Sequence, residues 1–244
     1  MKQSETIPER ADYGIDAPYV LLALAGSGLV CLLLALYSPT LRWLYSPTIS
    51  LLATAALWLY GSKVGKLRLR KPLMDALAWK GNETVLDVGC GSGLLLNAAA
   101  HRVPQGRAVG VDIWRKADLA NGQAKTALRN ARIEGVAARV QVQEADARHL
   151  PFDAATFDVV VSLNVLHNIA KRDERRKALQ EIVRVLKPGG RVLLCDFRDV
   201  GDYAGILREQ GMQNAHKKLM GWVAFYPMFA VCGEKPLVCP DQPR

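Results

Sequence analysis

The most constraining stretch of this chain is Thr84–Arg102. A short run with strand character, Thr84–Val88, passes through Gly89-Cys90-Gly91-Ser92-Gly93 directly into the helix-forming segment Leu94–Arg102. Glycines there let the backbone turn sharply and leave main-chain N–H groups at a helix N-terminus open to a ligand. Such a strand–turn–helix unit belongs to an α/β sheet, and the pattern repeats downstream. Further strands are predicted at Ala108–Asp112, Val140–Gln143, Phe157–Ser162 and Arg191–Asp196, separated by helices over Leu94–Arg102, Lys116–Ile133 and Asp173–Leu186. Alternation of this kind gives a mainly parallel sheet covered on both faces. Lys187-Pro188-Gly189-Gly190 is a stop and tight turn before the fifth strand. A helix near Asp202–Gln210, two strand-like runs at Ala215–Met220 and Val223–Cys232, and a loose tail from Pro236 complete the chain.

The glycine loop alone is weak evidence, because dinucleotide-binding turns are glycine-rich too. That pattern requires Gly-x-Gly-x-x-Gly or Ala, and here its third position is Leu94. Asp87, two residues before the first glycine, would repel a pyrophosphate but suits a cationic amino group. A second acid, Asp112, closes the second strand, where a carboxylate can accept both ribose hydroxyls. A third, Asp146, follows the third strand within Glu144–Phe152, where it can accept from an exocyclic adenine amine. Taken singly, these acids are equally well a helix cap or a turn residue. Three acids at three successive strand ends point to one nucleoside-like ligand on the carboxyl edge of the sheet.

In this combination and order, Val85–Gly93, Val109–Asp112, Glu144–Phe152, Phe157–Ser162 and Leu186–Gly190 closely resemble the class I S-adenosylmethionine-dependent methyltransferases. The resemblance covers residues 73–233. It implies a Rossmann-like α/β fold whose seven-stranded sheet, with helices on both faces, ends in an antiparallel hairpin at residues 213–233. It also implies S-adenosylmethionine as cofactor and no metal. Carried over by position, Gly89, Cys90, Gly91 and Gly93 form the loop under the methionine portion, and Asp87 anchors its amino end. Asp112 takes the ribose hydroxyls, Ile113 packs on adenine, Asp146 and Ala147 meet the adenine amine, and Asn164 lines the sulfonium side. The segment Asp158–Ile169 with Leu186–Gly190 looks like the small-molecule and quinone-type branch. The Asn-Pro-Pro-Tyr signature of base and glutamine amino-methyltransferases is replaced by Leu163-Asn164-Val165-Leu166.

The N-terminal quarter has a different character. No charge occurs from Ala17 to Leu41 and, after Arg42, none from Trp43 to Ser62. A membrane-crossing helix needs about 20 apolar residues. Both runs are long enough, and Ser38–Arg42 is a short turn, so the sequence predicts a two-helix membrane hairpin over residues 17–62. It follows an N-terminal tail of residues 1–16 and precedes a basic link of residues 63–72. Aromatic residues sit near the ends of both runs, as at membrane interfaces. Lys63, Lys66, Arg68, Arg70 and Lys71 follow the second run, whereas the turn has only Arg42, so both ends are expected on the cytoplasmic side. An acidic tail fits a signal peptide poorly, and neither run has the charged face of a surface helix. A buried hairpin serving as a lid or a dimer surface remains a second reading, and the hairpin is also a route to homo-oligomers.

Methyl transfer from a sulfonium needs positioning and desolvation, plus a general base when the acceptor atom carries a proton. His167 is the best-placed base; His149 is weaker, and Trp114 is a candidate wall of the acceptor pocket. The expected acceptor is a small or lipophilic molecule. The net charge of +9 falls to +4 without the five-residue basic cluster, so a nucleic-acid acceptor is disfavoured. A non-catalytic cofactor-binding scaffold is the alternative from another class. Five cysteines without a paired spacing point to reduced thiols.

Overall fold

A computed structural model of the chain describes residues 10–115 and 123–237. Its sheet contains β1 (Thr84–Val88), β2 (Arg107–Asp112), β3 (Val140–Glu144), β4 (Phe157–Leu163), β5 (Leu186–Asp196), β6 (Gln213–Val223) and β7 (Tyr226–Glu234). The strand order is β3-β2-β1-β4-β5-β7-β6. The first five strands pair in parallel, and β7 and β6 close the edge as an antiparallel hairpin. The seven-stranded expectation is met. Chain order reverses at β1, between β2 and β4, which puts the switch point of the sheet at the glycine loop.

Strand alternation divides the core in two. Leu86, Val88, Val160 and Val192 face α6 (Arg172–Val185) and α7 (Val200–Glu209). Val85, Val159, Val161 and Leu193 face α3 (Lys66–Asp75) and α4 (Leu94–Arg102). Of the predicted helix Lys116–Ile133, the structure describes α5 (Ala124–Ile133); residues 116–122 lie outside the described residues. The Lys187–Gly190 turn lies inside β5 as an irregularity, with Gly189 at φ 74° and a register shift against β4. Lys235 bridges it: its N–H bonds Gly190 O at 2.8 Å, and its Nζ bonds Val183 O and Leu186 O at the end of α6. Residues 238–244 of the predicted tail, including Cys239, lie outside the described residues, and the other four cysteines are free thiols.

The uncharged runs form α1 (Pro18–Tyr37), a 3-10 turn (Pro39–Leu44) and α2 (Tyr45–Tyr60). With 20 residues and no charge, α1 is long and apolar enough to cross a membrane. Among the described helices it alone meets that measure. The turn extends past Arg42 and absorbs Trp43 and Leu44, leaving α2 only 16 residues, so the expectation of two spans is met by one helix. The helices meet through small residues. Gly28, Ala35, Thr48 and Ala55 are buried, and a Cβ on Gly28 would lie 2.8 Å from Leu52 Cδ2. Close approach through small residues is how helices associate in apolar surroundings. Leu22, Leu33, Leu36 and Ile49 point outward and are exposed.

The predicted link 63–72 is helical. A π turn at Gly61–Gly65 joins α2 to α3 without a break. Both glycines seat against the β6–β7 turn, where an added Cβ would lie 3.1 Å from Val223 Cγ1. The basic cluster is largely consumed within the chain. Lys63 pairs with Asp12 at 2.7 Å, Lys66 with Asp16 at 2.9 Å, Lys71 with Asp75 at 2.5 Å, and Arg70 with Glu134. Arg68 instead lies over the Tyr60 ring. These pairs also show that the described part of the predicted tail, residues 10–16, is docked onto the domain. Asn130 Nδ2 bonds Asp12 O at 2.8 Å, and Tyr13 is buried with its hydroxyl on Glu134 and Asn97.

Candidate active site

A cavity of about 460 Å³ opens at the carboxyl edge of the sheet over the switch point. Its inner end is made of backbone and carboxylates. Gly89 and Gly91 adopt φ 74° and 51°, in the left-handed region that favours glycine. A Cβ on Gly89 would sit 2.2 Å from Val165 Cγ2. Gly91 N–H donates to Asp112 Oδ2 at 2.8 Å and Trp114 N–H to Asp112 Oδ1 at 2.6 Å, so Asp112 is held at the rim by the loop it faces. Trp114 Nε1–H bonds Gly91 O at 3.1 Å, which puts the indole at the glycine-loop end and not on the acceptor wall. Cys90 lines the cavity from below; burial holds its thiol well above the ordinary range. Gly93, at φ 88°, starts α4 and packs toward Ala127, behind the cavity wall.

Asp87 is 2% exposed, and burial pushes its carboxyl up to about 8, with the charge of Asp112 adding to the rise. A buried, protonated acid is primed to ionise beside an incoming cation. Asp146 and Ala147 line the wall next to Ile113. Arg148 donates to both carboxylate oxygens of Asp146, at 2.9 and 3.1 Å from Nε, and holds that group below the ordinary carboxylate range. His149 is exposed and stands outside the cavity lining. Asn164, at φ 57°, has a buried Oδ1 without a hydrogen-bond partner, as have Ser92 Oγ and Asp16 Oδ2. All three residues line the cavity. Unfilled acceptors and a glycine cradle, with an acid at or near the ends of β1, β2 and β3, fit S-adenosylmethionine.

The outer end is made of rings. His167 follows β4 in a short 3-10 turn, and its Nδ1 lies 2.8 Å from Asp196 Oδ1, off the line of a hydrogen bond. Asp196 is 1% exposed and also accepts from the N–H of Phe197 and from Tyr203 Oη. From His167 the rings follow one another: Phe197 at 4.6 Å between centroids, then Tyr226 at 5.6 Å, Phe225 at 5.6 Å, and Trp58 at 6.4 Å from both. All five line the cavity. Trp58 belongs to the hairpin, and its Nε1–H bonds Asp16 O at 2.8 Å. Burial, with the charges of Asp16 and Asp196, pushes the Tyr226 hydroxyl up to about 12, so it remains a donor at neutral pH. Lys66, also in the lining, holds Tyr13 O and Asp16 on the inner flank.

Asp196, Tyr226 and, in the docked segment of residues 10–16, Tyr13 and Asp16 are not among the residues that the sequence singles out. The strand-end rule that picks out Asp112 applies equally to Asp196, the last residue of β5. Nothing local in the sequence joins Trp58 to Phe197 or Tyr226.

The architecture is that of a nucleoside-binding α/β domain with acids at its strand ends. Residues 86–194 match the family model described as "Methyltransferase domain", which makes this segment a methyltransferase domain of the S-adenosylmethionine-dependent kind. The chain is 33% identical over 162 residues to a demethylmenaquinone methyltransferase of Lactobacillus johnsonii, covering 66% of this chain and 57% of that protein. It is 35% identical over 142 residues to a 27-O-demethylrifamycin SV methyltransferase of Amycolatopsis mediterranei, covering 57% and 47%. The chain thus spans about half the length of these relatives. A solved SAM-dependent methyltransferase from Aquifex aeolicus superimposes with a TM-score of 0.57 at 21% identity, over 70% of this chain and 93% of that one, a likeness of fold.

Proposed function

We propose that this chain is a membrane-anchored methyltransferase that transfers the methyl group of S-adenosylmethionine to a small lipophilic acceptor at the cytoplasmic face. The observation that carries the reading is one cavity with two ends: a cofactor cradle inside, and an aromatic wall outside to which the hairpin contributes Trp58. The apolar outer surface of α1 supports the anchor, and the excess of Lys and Arg at the hairpin root over the lone Arg42 at its turn supports the orientation.

The cofactor supplies an electrophilic methyl on a sulfonium. Asp87 pairs with its amino end, Asp112 accepts from the ribose, and the glycine loop leaves room for the methionine chain. Asp146 and Ala147 meet the adenine amine, with Ile113 against the ring. Asn164 offers its free Oδ1 on the sulfonium side. Phe197, Tyr226 and Trp58 exclude water from the acceptor and hold it in line. With Nδ1 turned to Asp196, His167 has Nε2 left to take the proton released by the acceptor as the new bond to methyl forms. The buried Asp196 charge stabilises the imidazolium that results.

The test is reaction of the purified chain with a trideuteromethyl cofactor and a bacterial lipid extract, read by mass spectrometry. A lipid-phase product gaining one labelled methyl supports the reading; label only in water-soluble products overturns the lipophilic acceptor. Demethylated quinones are the first pure acceptors to try, because one relative is a demethylmenaquinone methyltransferase. The 16 residues of α2 favour a second reading, in which the hairpin is a lid or dimer surface. Carbonate washing separates the two, since a lid is released from membranes and an anchor is retained.

A further inference from the structure

The two ends of the hairpin are held differently. Its turn at Pro39–Leu44 packs chiefly on α1 and α2, whereas its root, Pro18 on α1 and Tyr60 on α2, is held to the N-terminal segment through Asp16, Trp58 and Ser62. A 20-residue helix is roughly 30 Å long, the thickness of a bilayer's hydrocarbon core. If α1 fills that core, the bilayer surface lies at the root. The tip of the β6–β7 hairpin sits at the same level, because Val223 and Ala224 pack on Gly61 and Gly65 just below Tyr60.

That tip is unusually apolar for an exposed turn. Trp222 is 60% exposed, Phe225 48% and Leu219 49%, and Leu67 on the adjoining helix is also exposed. Trp222 and Leu219 share one side of the ribbon: their partners Pro227 and Phe229 lie opposite the side on which Met228 packs into the core. Behind the tip come Lys217 and Lys218, both exposed, with Lys217 over the Phe229 ring at 3.7 Å. From Gln213 to Gly233 the ribbon has no acidic residue. Arg68, the member of the basic cluster that makes no ion pair among the described residues, lies on the same root. Aromatics at the rim with lysines roughly 13 Å farther back match the interface and headgroup layers of a membrane.

We propose that the β6–β7 tip is a second membrane contact, seating Trp222 and Phe225 in the interface of an anionic bilayer, with Lys217, Lys218 and Arg68 on its headgroups. The proposal rests on the membrane reading of the hairpin. Its consequence is that the mouth of the aromatic wall, where Phe225 stands, opens against the bilayer surface and not into bulk water.

The test uses the full chain in vesicles of phosphatidylcholine with and without phosphatidylglycerol. An environment-sensitive fluorophore is placed at Trp222→Cys or, separately, at Leu33→Cys on α1, in a background with the other reactive cysteines replaced. Cofactor binding checks that each variant folds. The expected result is quenching of the Trp222→Cys label by lipids carrying a nitroxide near the headgroup, with protection from aqueous iodide. On anionic vesicles, Lys217→Glu and Lys218→Glu should each weaken tip docking roughly five-fold or more. Iodide access at Trp222→Cys with lipid quenching at Leu33→Cys overturns the tip contact and leaves the anchor standing. Iodide access at both positions overturns the anchor and the tip together. Protection at Trp222→Cys from both quenchers means that a second copy or another protein covers the tip, and overturns the proposal.

Discussion

The two ends of the cavity are built by opposite strategies. The inner end comes from one stretch of chain, residues 87–164, which returns to the same sheet edge after each helix. Its geometry is fixed by backbone: three left-handed glycines, and an aspartate near the end of each of three neighbouring strands. The outer end draws its rings from residues 58, 167, 197, 225 and 226, and its form depends on how the hairpin and the β6–β7 ribbon dock. A cofactor shared across many proteins can be met by a local pattern. An acceptor particular to one protein is met by parts that only the folded chain brings together.

If the ends are separate in chemistry, substitutions should divide cleanly between them. The largest effect is expected at the junction. His167→Ala should lower the rate of methyl transfer to a proton-bearing acceptor roughly 10²- to 10⁴-fold while calorimetry shows unchanged cofactor affinity. A rate loss matched by an affinity loss would mean that the histidine serves the inner end. Next, Gly89→Ala places a Cβ against Val165 at a left-handed backbone angle. Strain and overpacking together cost about 3 kcal/mol or more, so cofactor affinity should fall on the order of a hundredfold. Val165→Ala in the same chain should restore part of it, and no recovery would place the defect in the backbone alone.

Proton linkage sharpens the contrast further. With its carboxyl raised to about 8 in the free protein, Asp87 must lose a proton to pair with a cationic ligand. Cofactor affinity should therefore weaken as pH falls below about 8, by up to roughly tenfold per unit, and binding should release protons into the buffer. Asp87→Asn should remove the slope; calorimetry in buffers of different ionisation enthalpy measures both. The smallest effect belongs to the outer wall. Trp58→Ala removes a large ring from the acceptor side and should raise the acceptor KM about tenfold, with cofactor affinity unmoved. A shift in cofactor affinity there would join the two ends through Asp16, which the indole holds.

Legibility in the sequence followed the same division. The sheet was readable because β1, β2, β4 and the second half of β5 are short runs rich in β-branched residues, and the cofactor cradle because its residues lie at or just past the ends of β1 to β4. The helical link over residues 63–72 was not, since Gly61, Gly65 and Pro72 all argue locally against a helix, and packing on Val223 overrides them. The docking of residues 10–16 was hidden for a related reason: Asp12, Tyr13 and Asp16 look like part of a polar tail until Asn130, Glu134 and Lys66 are brought beside them. The basic cluster misled in the opposite direction. Five clustered cations look like a surface for anions, yet four are neutralised by acids, three of them remote in sequence.

The unbroken helical run from Tyr45 to Asp75 links the hairpin turn to α4 and the β6 edge of the domain. At 1.5 Å per residue it is a rod roughly 45 Å long. Trp58 and Lys66 are mounted on it partway along, one on each flank of the cavity. A rod of this kind acts as a lever: tilt imposed where it leaves the domain is felt at both residues together. If the hairpin is the anchor proposed above, the thickness and lateral pressure of the bilayer around it act through this rod on the width of the acceptor entrance.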